Sequence, residues 1–174
     1  VDAGARRPPR ADLLLLASML VAIAHEPSDG VPGAGEHDMF ALLGDLEFAA
    51  GDRDLAIYEA ISAPAAAARL AAAHTPSQIH AAVSHVSPEG VALAGAWARA
   101  HDGDGHAERA AREWLGGLNT VTLEITGDDL LAAGVPEGPE IGRRLDAALL
   151  RKLDGELGGC GREAELKAAL GASV

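Results

Sequence analysis

Aromatic residues are scarce in this chain of 174 residues. Phenylalanine, tyrosine and tryptophan together make up 3% of the sequence, although hydrophobic residues make up 48%. Alanine and leucine supply most of that apolar surface, and they favour closely packed helices over the β-branched and aromatic strands of a β-sandwich. The sequence therefore predicts an all-α fold, a multi-helix bundle of short antiparallel helices.

Cysteine is nearly absent as well, since Cys160 is the only one. This excludes an internal disulfide and a metal site built from cysteines. Cys160 lies between glycines, without the ordered positive surroundings that activate a thiolate, so we expect an unreactive loop cysteine. The single cysteine is compatible with the cytoplasmic location that we predict.

No apolar run is long enough to cross a membrane. The longest, Leu13–Ile23, falls short of the ~20 residues that a spanning helix needs. Arg6, Arg7 and Arg10 before it imitate the start of a signal peptide, but no small-residue cleavage site follows. We expect a buried first helix after a Pro/Arg-rich linker at residues 1–11. The start at Val1, without methionine, suggests a fragment of a longer protein.

Positive charge is in short supply. The net charge is −12, and only Lys152 and Lys167 are lysines. A free-standing nucleic-acid-binding protein usually carries a basic face, so this balance argues against one. Local arginine clusters nevertheless occur, at Arg6/Arg7/Arg10, Arg109/Arg112 and Arg143/Arg144/Arg151.

Prolines and capping residues divide the chain into helices. Pro64, Pro76 and Pro88 each stand at a plausible first helical position, where the missing N–H costs nothing. We predict helices at 12–25, 39–49, 52–61, 64–73, 76–86, 88–100, 108–115, 126–134, 139–153 and 162–170, with a loop at 30–35 and an extended connector at 120–125. The predicted domains are a helical body, 12–104, and a helical tail, 105–174. The seam is expected near 101–106 or 116–120.

The tail contains a helical hairpin with an open helix N-terminus. Gly134 ends one helix and Pro139 begins the next, whose free N–H groups form a ready anion site. Gly138 and Gly142 leave room for a phosphate, and the neighbouring arginines add charge. Two interpretations stay open: a grip on the RNA backbone, or a tight hairpin in which Gly142 serves only helix contact and Glu140 repels phosphate. The candidate RNA-binding residues are Gly138, Gly142, Arg109, Arg143, Arg144, Arg151 and Lys152. For the five cations the alternative is a solvated helix face on which they pair with acids at i,i+4.

Several motifs resemble the C-terminal part of the bacterial tRNA nucleotidyltransferases, the CCA-adding enzymes, and the related poly(A) polymerases. The similarity covers roughly residues 42–170. Its elements are Ile125-Thr-Gly-Asp-Asp-Leu130, Gly134-Val135, Gly138-Pro-Glu-Ile-Gly142 and Leu153-Asp-Gly-Glu156, preceded by Gly51-Asp-Arg-Asp54, Ala63-Pro64, Thr75-Pro-Ser-Gln-Ile-His80 and Ser87-Pro-Glu-Gly-Val-Ala-Leu93.

The resemblance implies that this chain holds and positions tRNA and is not catalytic by itself. In that family the metal-binding carboxylates and the nucleotide-selecting motif lie in a head and neck, and this sequence shows neither motif. Mg²⁺ and the nucleoside triphosphate are then expected in the missing catalytic domain. Asp52-Arg-Asp54 and Asp102-Gly-Asp104 lack the strand context that would hold two Mg²⁺ ions. We expect no catalytic residue and no metal site.

Two other functions remain as alternatives. Acidic, alanine-rich helices suit a protein-interaction module or a homo-oligomer. The pairs His25-Glu26 and His37-Asp38 suggest a degenerate HD-type phosphohydrolase domain, and His101, Asp102, Asp104 and His106 form the densest ligand-like cluster. A metal site of that kind would need ligands from several helices around one point.

Overall fold

The computed structural model describes residues 10–25, 34–101, 104–157 and 161–172 of the chain, and in these ranges it is helical without any strand. The predicted all-α fold is confirmed. The helices are α1 (Ala11–His25), α2 (Ala34–Asp45), α3 (Ala50–Ala71), α4 (Pro76–Ala82), α5 (Pro88–His101), α6 (His106–Gly116), α7 (Gly127–Ala132), α8 (Pro139–Leu153) and α9 (Arg162–Leu170), with a 3₁₀ turn at Leu118–Thr120.

The predicted break at Pro64 is wrong. Pro64 lies inside α3, which runs without interruption from Ala50 to Ala71. A proline within a helix leaves the carbonyl four residues earlier, here that of Ala60, without its N–H partner. His25, the last residue of α1, contacts this oxygen at 3.1 Å through Nε2. A carbonyl only accepts hydrogen bonds, so the imidazole donates and replaces the missing bond.

Several helix bounds also differ from the prediction. The expected loop at 30–35 falls partly outside the described residues, and Ala34 already belongs to α2. At its other end α2 stops at Asp45, because Glu47 adopts the left-handed conformation with φ 56° and the N–H of Phe48 bonds back to Leu43. α4 ends at Ala82 rather than at residue 86. The expected connector begins one residue later, since Thr120 closes the 3₁₀ turn.

The body of the molecule is built around α3 and α5. One hydrophobic cluster joins α1, α2 and α3 with Leu93 of α5, and a second joins α3, α4, α5 and α6 around the buried Trp114. α5 and α6 pack very closely, because a Cβ placed on Gly95 would come within 2.8 Å of Ala111 Cβ. α6 therefore belongs to the body in its packing.

The tail has a hydrophobic cluster of its own. Ile125, Leu130, Val135, Ala148 and Ala169 are its buried members. The change from one cluster to the next falls at the turn around 117–121, the second of the two seams that the sequence suggested, and places α6 on the body side of it. The predicted linker lies mostly outside the described residues, and α1 begins at Ala11.

Candidate nucleic-acid interface

The first helix of the tail hairpin, α7, is fixed at both of its ends by local hydrogen bonds. Asp129 accepts from the backbone N–H of Thr126 in a capping box at the start of α7. This hydrogen bond is the main cause that lowers the pKa of Asp129, and the nearby Arg162 guanidinium lowers it further. At the end of α7, Gly134 takes φ 90° while Val135 N–H bonds to the Leu130 carbonyl. This is a Schellman motif, and it sends the chain sharply into α8.

The N-terminus of α8 has no side-chain cap among the described residues. Gly138, at φ 154°, precedes Pro139 at the first helical position, and no side chain accepts from the first N–H groups. The helices α3, α6 and α9 begin without a side-chain cap as well, whereas Thr75 caps α4. Pro139 has no N–H, and the N–H of Ile141 bonds to the Gly138 carbonyl at 3.2 Å, so the positive potential at the start of α8 comes mainly from the helix dipole.

The first turns of α8 carry a glycine that nothing nearby requires. A Cβ built on Gly142 meets no atom within 4 Å, so helix contact does not explain this residue. Arg143 beside it is exposed and makes no hydrogen bond or ion pair with another described residue. Gly44 of α2 is open in the same way. Openness alone therefore does not define a site. At α8 it coincides with a helix start that lacks a side-chain cap and with an arginine that has no partner among the described residues.

Three of the other predicted cations hold α8 against α9 or the connector. Arg144 donates to Glu140 at 2.5 Å and to the Leu170 carbonyl at 2.9 Å. Arg151 donates to the Ala168 carbonyl at 3.3 Å, and Lys152 bonds to the Thr122 carbonyl at 2.8 Å. The carbonyls of Ala168 and Leu170 belong to the last turn of α9, where a positive charge also complements the helix dipole.

Lys152 also reaches a buried carboxylate that the sequence did not reveal. Glu165 is completely buried, and it accepts from Lys152 Nζ at 2.6 Å and from the N–H groups of Glu124 and Ile125. Burial alone would raise the pKa of Glu165, but these hydrogen bonds outweigh it and lower the pKa. The pair ties α8, α9 and the connector together. Its sequence signal was weak, because Glu165 reads as an ordinary polar helix residue.

Arg109 lies apart from these tail residues, in the body. It is exposed on α6, and its guanidinium donates to the Asp104 carbonyl at 2.9 Å in the preceding turn. The structure thus places the seven predicted residues in three groups. Gly138, Gly142 and Arg143 lie just before or within the first two turns of α8. Arg144, Arg151 and Lys152 are engaged within the tail, and Arg109 belongs to the body.

The candidate metal ligands are not gathered into one site in the part of the chain described. Asp52 accepts from Arg10 and Asp54 from Arg53, so the first Asp-x-Asp pair is engaged in ion pairs at the start of α3. Asp104 accepts from the backbone N–H of His106. Within the described residues, no three His, Cys, Asp or Glu side chains are grouped as a metal would require. Asp102, Glu26 and Cys160 lie outside those residues, and so does the side chain of His37.

The body also contains buried carboxyl groups that the sequence did not reveal, Glu59 and Glu89. Glu59 of α3 is 2% exposed and lies beside Ser87 and Glu89 at the start of α5. Burial raises the pKa of Glu59, hydrogen bonds from Ser87 offset part of this effect, and the charge of Glu89 raises the pKa further. A Cβ on Gly90 would collide with the carboxylate of Glu59. The glycine in Ser87-Pro-Glu-Gly90 therefore makes room for Glu59.

No family model, no curated protein and no solved structure matches the chain. Among the helices of the described ranges, none combines the length and the apolar character that crossing a membrane demands.

Proposed function

We propose that this chain is the tRNA-holding body and tail of a protein related to the tRNA nucleotidyltransferases and poly(A) polymerases. The start of α8 receives a phosphate of the RNA backbone. Catalysis belongs to a head and neck outside this sequence, which would supply the Mg²⁺ site and the nucleotide pocket. Incubated alone with tRNA, CTP, ATP and Mg²⁺, the chain is expected to add no nucleotide.

The observation that carries the proposal is the coincidence of three features at the start of α8. Its N–H groups lack a side-chain cap, Gly142 is open, and Arg143 is unpaired among the described residues. A glycine inside an exposed helix costs about 1 kcal/mol relative to alanine. Close approach of a phosphate would account for keeping one there. Glu140 does not oppose this, since its carboxylate is paired with Arg144.

Because the other cations are engaged within the tail, we expect tRNA binding to involve few phosphate contacts. Within the tail, hydrogen bonds to residues of α9 already engage the side chains of Arg144, Arg151 and Lys152. The chain can then neutralise only a few phosphates. The salt dependence of its tRNA binding should therefore be shallower than that of a protein that makes about six to ten phosphate contacts. Such a surface positions RNA without reading its sequence.

Charge reversal of Arg143 tests the phosphate contact. Arg143→Glu is expected to weaken tRNA binding about tenfold at low salt and to reduce the salt slope by about one. Lys167→Glu is the matched control, because Lys167 is exposed in the same tail and changes the net charge equally. Filter binding over a series of salt concentrations measures both quantities. Equal affinities for the wild type and Arg143→Glu would remove Arg143 from the interface.

Substitution of two glycines, Gly142 and Gly44, tests whether a phosphate closely approaches the start of α8. Gly142→Ala and Gly44→Ala each introduce a better helix former at an open position, so each is expected to raise the free energy of unfolding by up to about 1 kcal/mol. Only Gly142→Ala is expected to weaken tRNA binding as well. If both variants bind tRNA like the wild type, Gly142 has no part in holding RNA.

A second candidate function rests on exposed apolar side chains in the body. Leu15 and Met19 of α1, Leu46 after α2 and Tyr58 of α3 are each at least 59% exposed. Such residues favour a protein-interaction module or a homo-oligomer if they form one contiguous patch. Light scattering discriminates the two functions. A dimer that lacks tRNA affinity and dissociates in the Leu15→Glu/Met19→Glu variant would support this candidate and contradict the first.

A further inference from the structure

The tail is attached to the body through a small contact. Apart from the continuous chain around 117–121, which includes the 3₁₀ turn, the main contact between helices of the two parts is made by α4 with α8. A side-chain hydrogen bond between described residues crosses it. The Asp154 carboxylate accepts from the backbone N–H of Ser77 at 2.9 Å. The orientation of the tail therefore depends on few interactions.

Each partner of this bond is held rigidly by its own helix. Asp154 is the C-cap of α8, and the next residue, Gly155, has φ 72°. The N–H of Glu156 bonds to the Arg151 carbonyl, so α8 ends in a second Schellman motif. The motif fixes the backbone that carries the Asp154 side chain. The Leu153-Asp-Gly-Glu156 sequence therefore ends α8 and fixes the position of Asp154.

Ser77 lies in the first turn of α4. Thr75 caps this helix by accepting from the N–H of Gln78, which leaves the N–H of Ser77 free for another acceptor. Asp154 supplies that acceptor from the tail. A carboxylate is well suited to the position, because its charge complements the positive end of the helix dipole.

We propose that Asp154 is a positioning residue that latches the tail onto the body and sets the distance between the start of α8 and the body. Its contribution to RNA holding rests on the proposed function above. A tRNA that contacts both parts would bind best when their separation is fixed before binding. If the tail were loose, binding would have to order it, and the lost conformational entropy would lower the affinity.

Distance measurements on the whole chain test the latch without RNA. Spin labels at Glu113→Cys on α6 and Glu163→Cys on α9, in a Cys160→Ser background, report the separation of body and tail. Both positions are exposed. Asp154→Ala is expected to broaden the distance distribution, with an undocked population about fivefold larger, as the loss of one ordinary hydrogen bond would produce. Asp154→Asn keeps an acceptor oxygen and is expected to restore the narrow distribution.

Asp146→Ala is the matched control. Asp146 is exposed on α8 and bonds to no other described residue. Far-UV circular dichroism checks that all variants are folded. The latch is overturned if Asp154→Ala leaves the distribution unchanged, if Asp146→Ala broadens it equally, or if Asp154→Asn is as broad as Asp154→Ala.

Binding of tRNA to the same variants separates this proposal from the proposed function. We expect Asp154→Ala to weaken tRNA binding several-fold while Asp154→Asn and Asp146→Ala bind like the wild type. If the distances respond as expected but the wild type has no affinity for tRNA, the latch stands and the proposed function fails. If tRNA binds and Asp154→Ala leaves both distances and affinity unchanged, the proposed function stands and the latch fails.

Discussion

Individual side chains complete backbone hydrogen bonds that the helices leave open. His25 bonds to the Ala60 carbonyl opposite Pro64, and His106 bonds to the Ala73 carbonyl just beyond α3 at 2.7 Å. Arg69 of α3 donates to the Ala82 carbonyl at the end of α4. An unpaired buried carbonyl costs about as much as a lost hydrogen bond. Polar side chains that a sequence suggests as ligands are therefore used in forming the fold itself.

One residue holds a strained backbone conformation that glycine would relieve. Glu47 has a positive φ of 56° at the end of α2. This conformation costs a residue with a Cβ about 1–2 kcal/mol. Glu47→Gly is expected to raise the free energy of unfolding by about 1 kcal/mol, because the greater freedom of glycine in the unfolded chain offsets part of the gain.

Urea unfolding followed by circular dichroism measures this change. Glu113→Gly is the control, because Glu113 lies within α6 and glycine is a poor helix former there. Its free energy of unfolding should fall. A decrease for Glu47→Gly as well would contradict the prediction.

The buried Glu59 makes stability depend on pH. Its pKa is raised in the folded protein above the ordinary value of 4.5, so stability is fully present below about 4.5 and falls as pH rises through the folded pKa. Glu59→Gln removes this titration while keeping an acceptor for Ser87. The variant is therefore expected to gain stability relative to the wild type as pH rises from about 4.5.

Urea unfolding of both proteins between about pH 4 and 8 measures the difference. The curves should diverge with increasing pH and run parallel once Glu59 is ionised in the folded state. A difference that stays constant over the whole range would show that Glu59 does not titrate abnormally.

At the scale of elements, α3 shows how a neighbouring helix changes what a local pattern means. Ser62-Ala-Pro64 reads as a helix start, because proline is favoured at the first helical position. The helix instead continues, since its buried alanines and Leu70 pack into the body and His25 satisfies the open carbonyl. Packing against α1, α5 and α6 thus outweighs the local preference.

The link between His25 and Pro64 predicts a coupling between two substitutions. His25→Ala is expected to lower the free energy of unfolding by about 1 kcal/mol, the net value of one hydrogen bond. In a Pro64→Ala background the helix regains its own N–H donor to Ala60. The same substitution should then cost much less.

A double-mutant cycle measured by urea unfolding gives the coupling energy. His25 also lies against Trp97, with ring centroids 5.0 Å apart. The ring contact is lost in both backgrounds, so it does not enter the coupling. A coupling energy of zero would show that the His25–Ala60 bond does not compensate for the proline.

At the scale of the whole molecule, separate hydrophobic clusters stabilise body and tail. The tail cluster contains few large side chains and is joined to the body by a small contact. Regions with fewer buried apolar contacts open at lower free energy. The tail is therefore expected to unfold locally before the body does.

Leu130→Ala tests this separation. Leu130 is fully buried in the tail cluster, and such a truncation costs about 2–5 kcal/mol. Hydrogen exchange is expected to accelerate in α7, α8 and α9 while α3 and α5 keep their protection. Val91→Ala, at a fully buried position of α5, should accelerate exchange in the body. Equal acceleration throughout the chain after Leu130→Ala would show a single cooperative unit.

The sequence predicted those parts of the fold that depend on neighbouring residues. The helices that start at Pro76, Pro88 and Pro139, and the turn at Gly134, lie where capping and turn residues placed them. Such signals act within one or two helical turns, so composition and spacing determine them. The all-α class follows equally from the alanine and leucine content and the scarcity of aromatic residues.

Only the tertiary structure decided which charged groups are available. In sequence, Arg143 and Arg144 are equivalent neighbours, yet one is exposed and the other donates to Glu140 and to the end of α9. Glu165 and Asp154 gain their partners from residues 13 to 77 positions away. Helix rotation and packing bring these groups together, and no local pattern encodes contacts at such separations. The scarcity of lysine and the −12 charge came from the sequence, whereas the fold determined which positive charges remain for a partner.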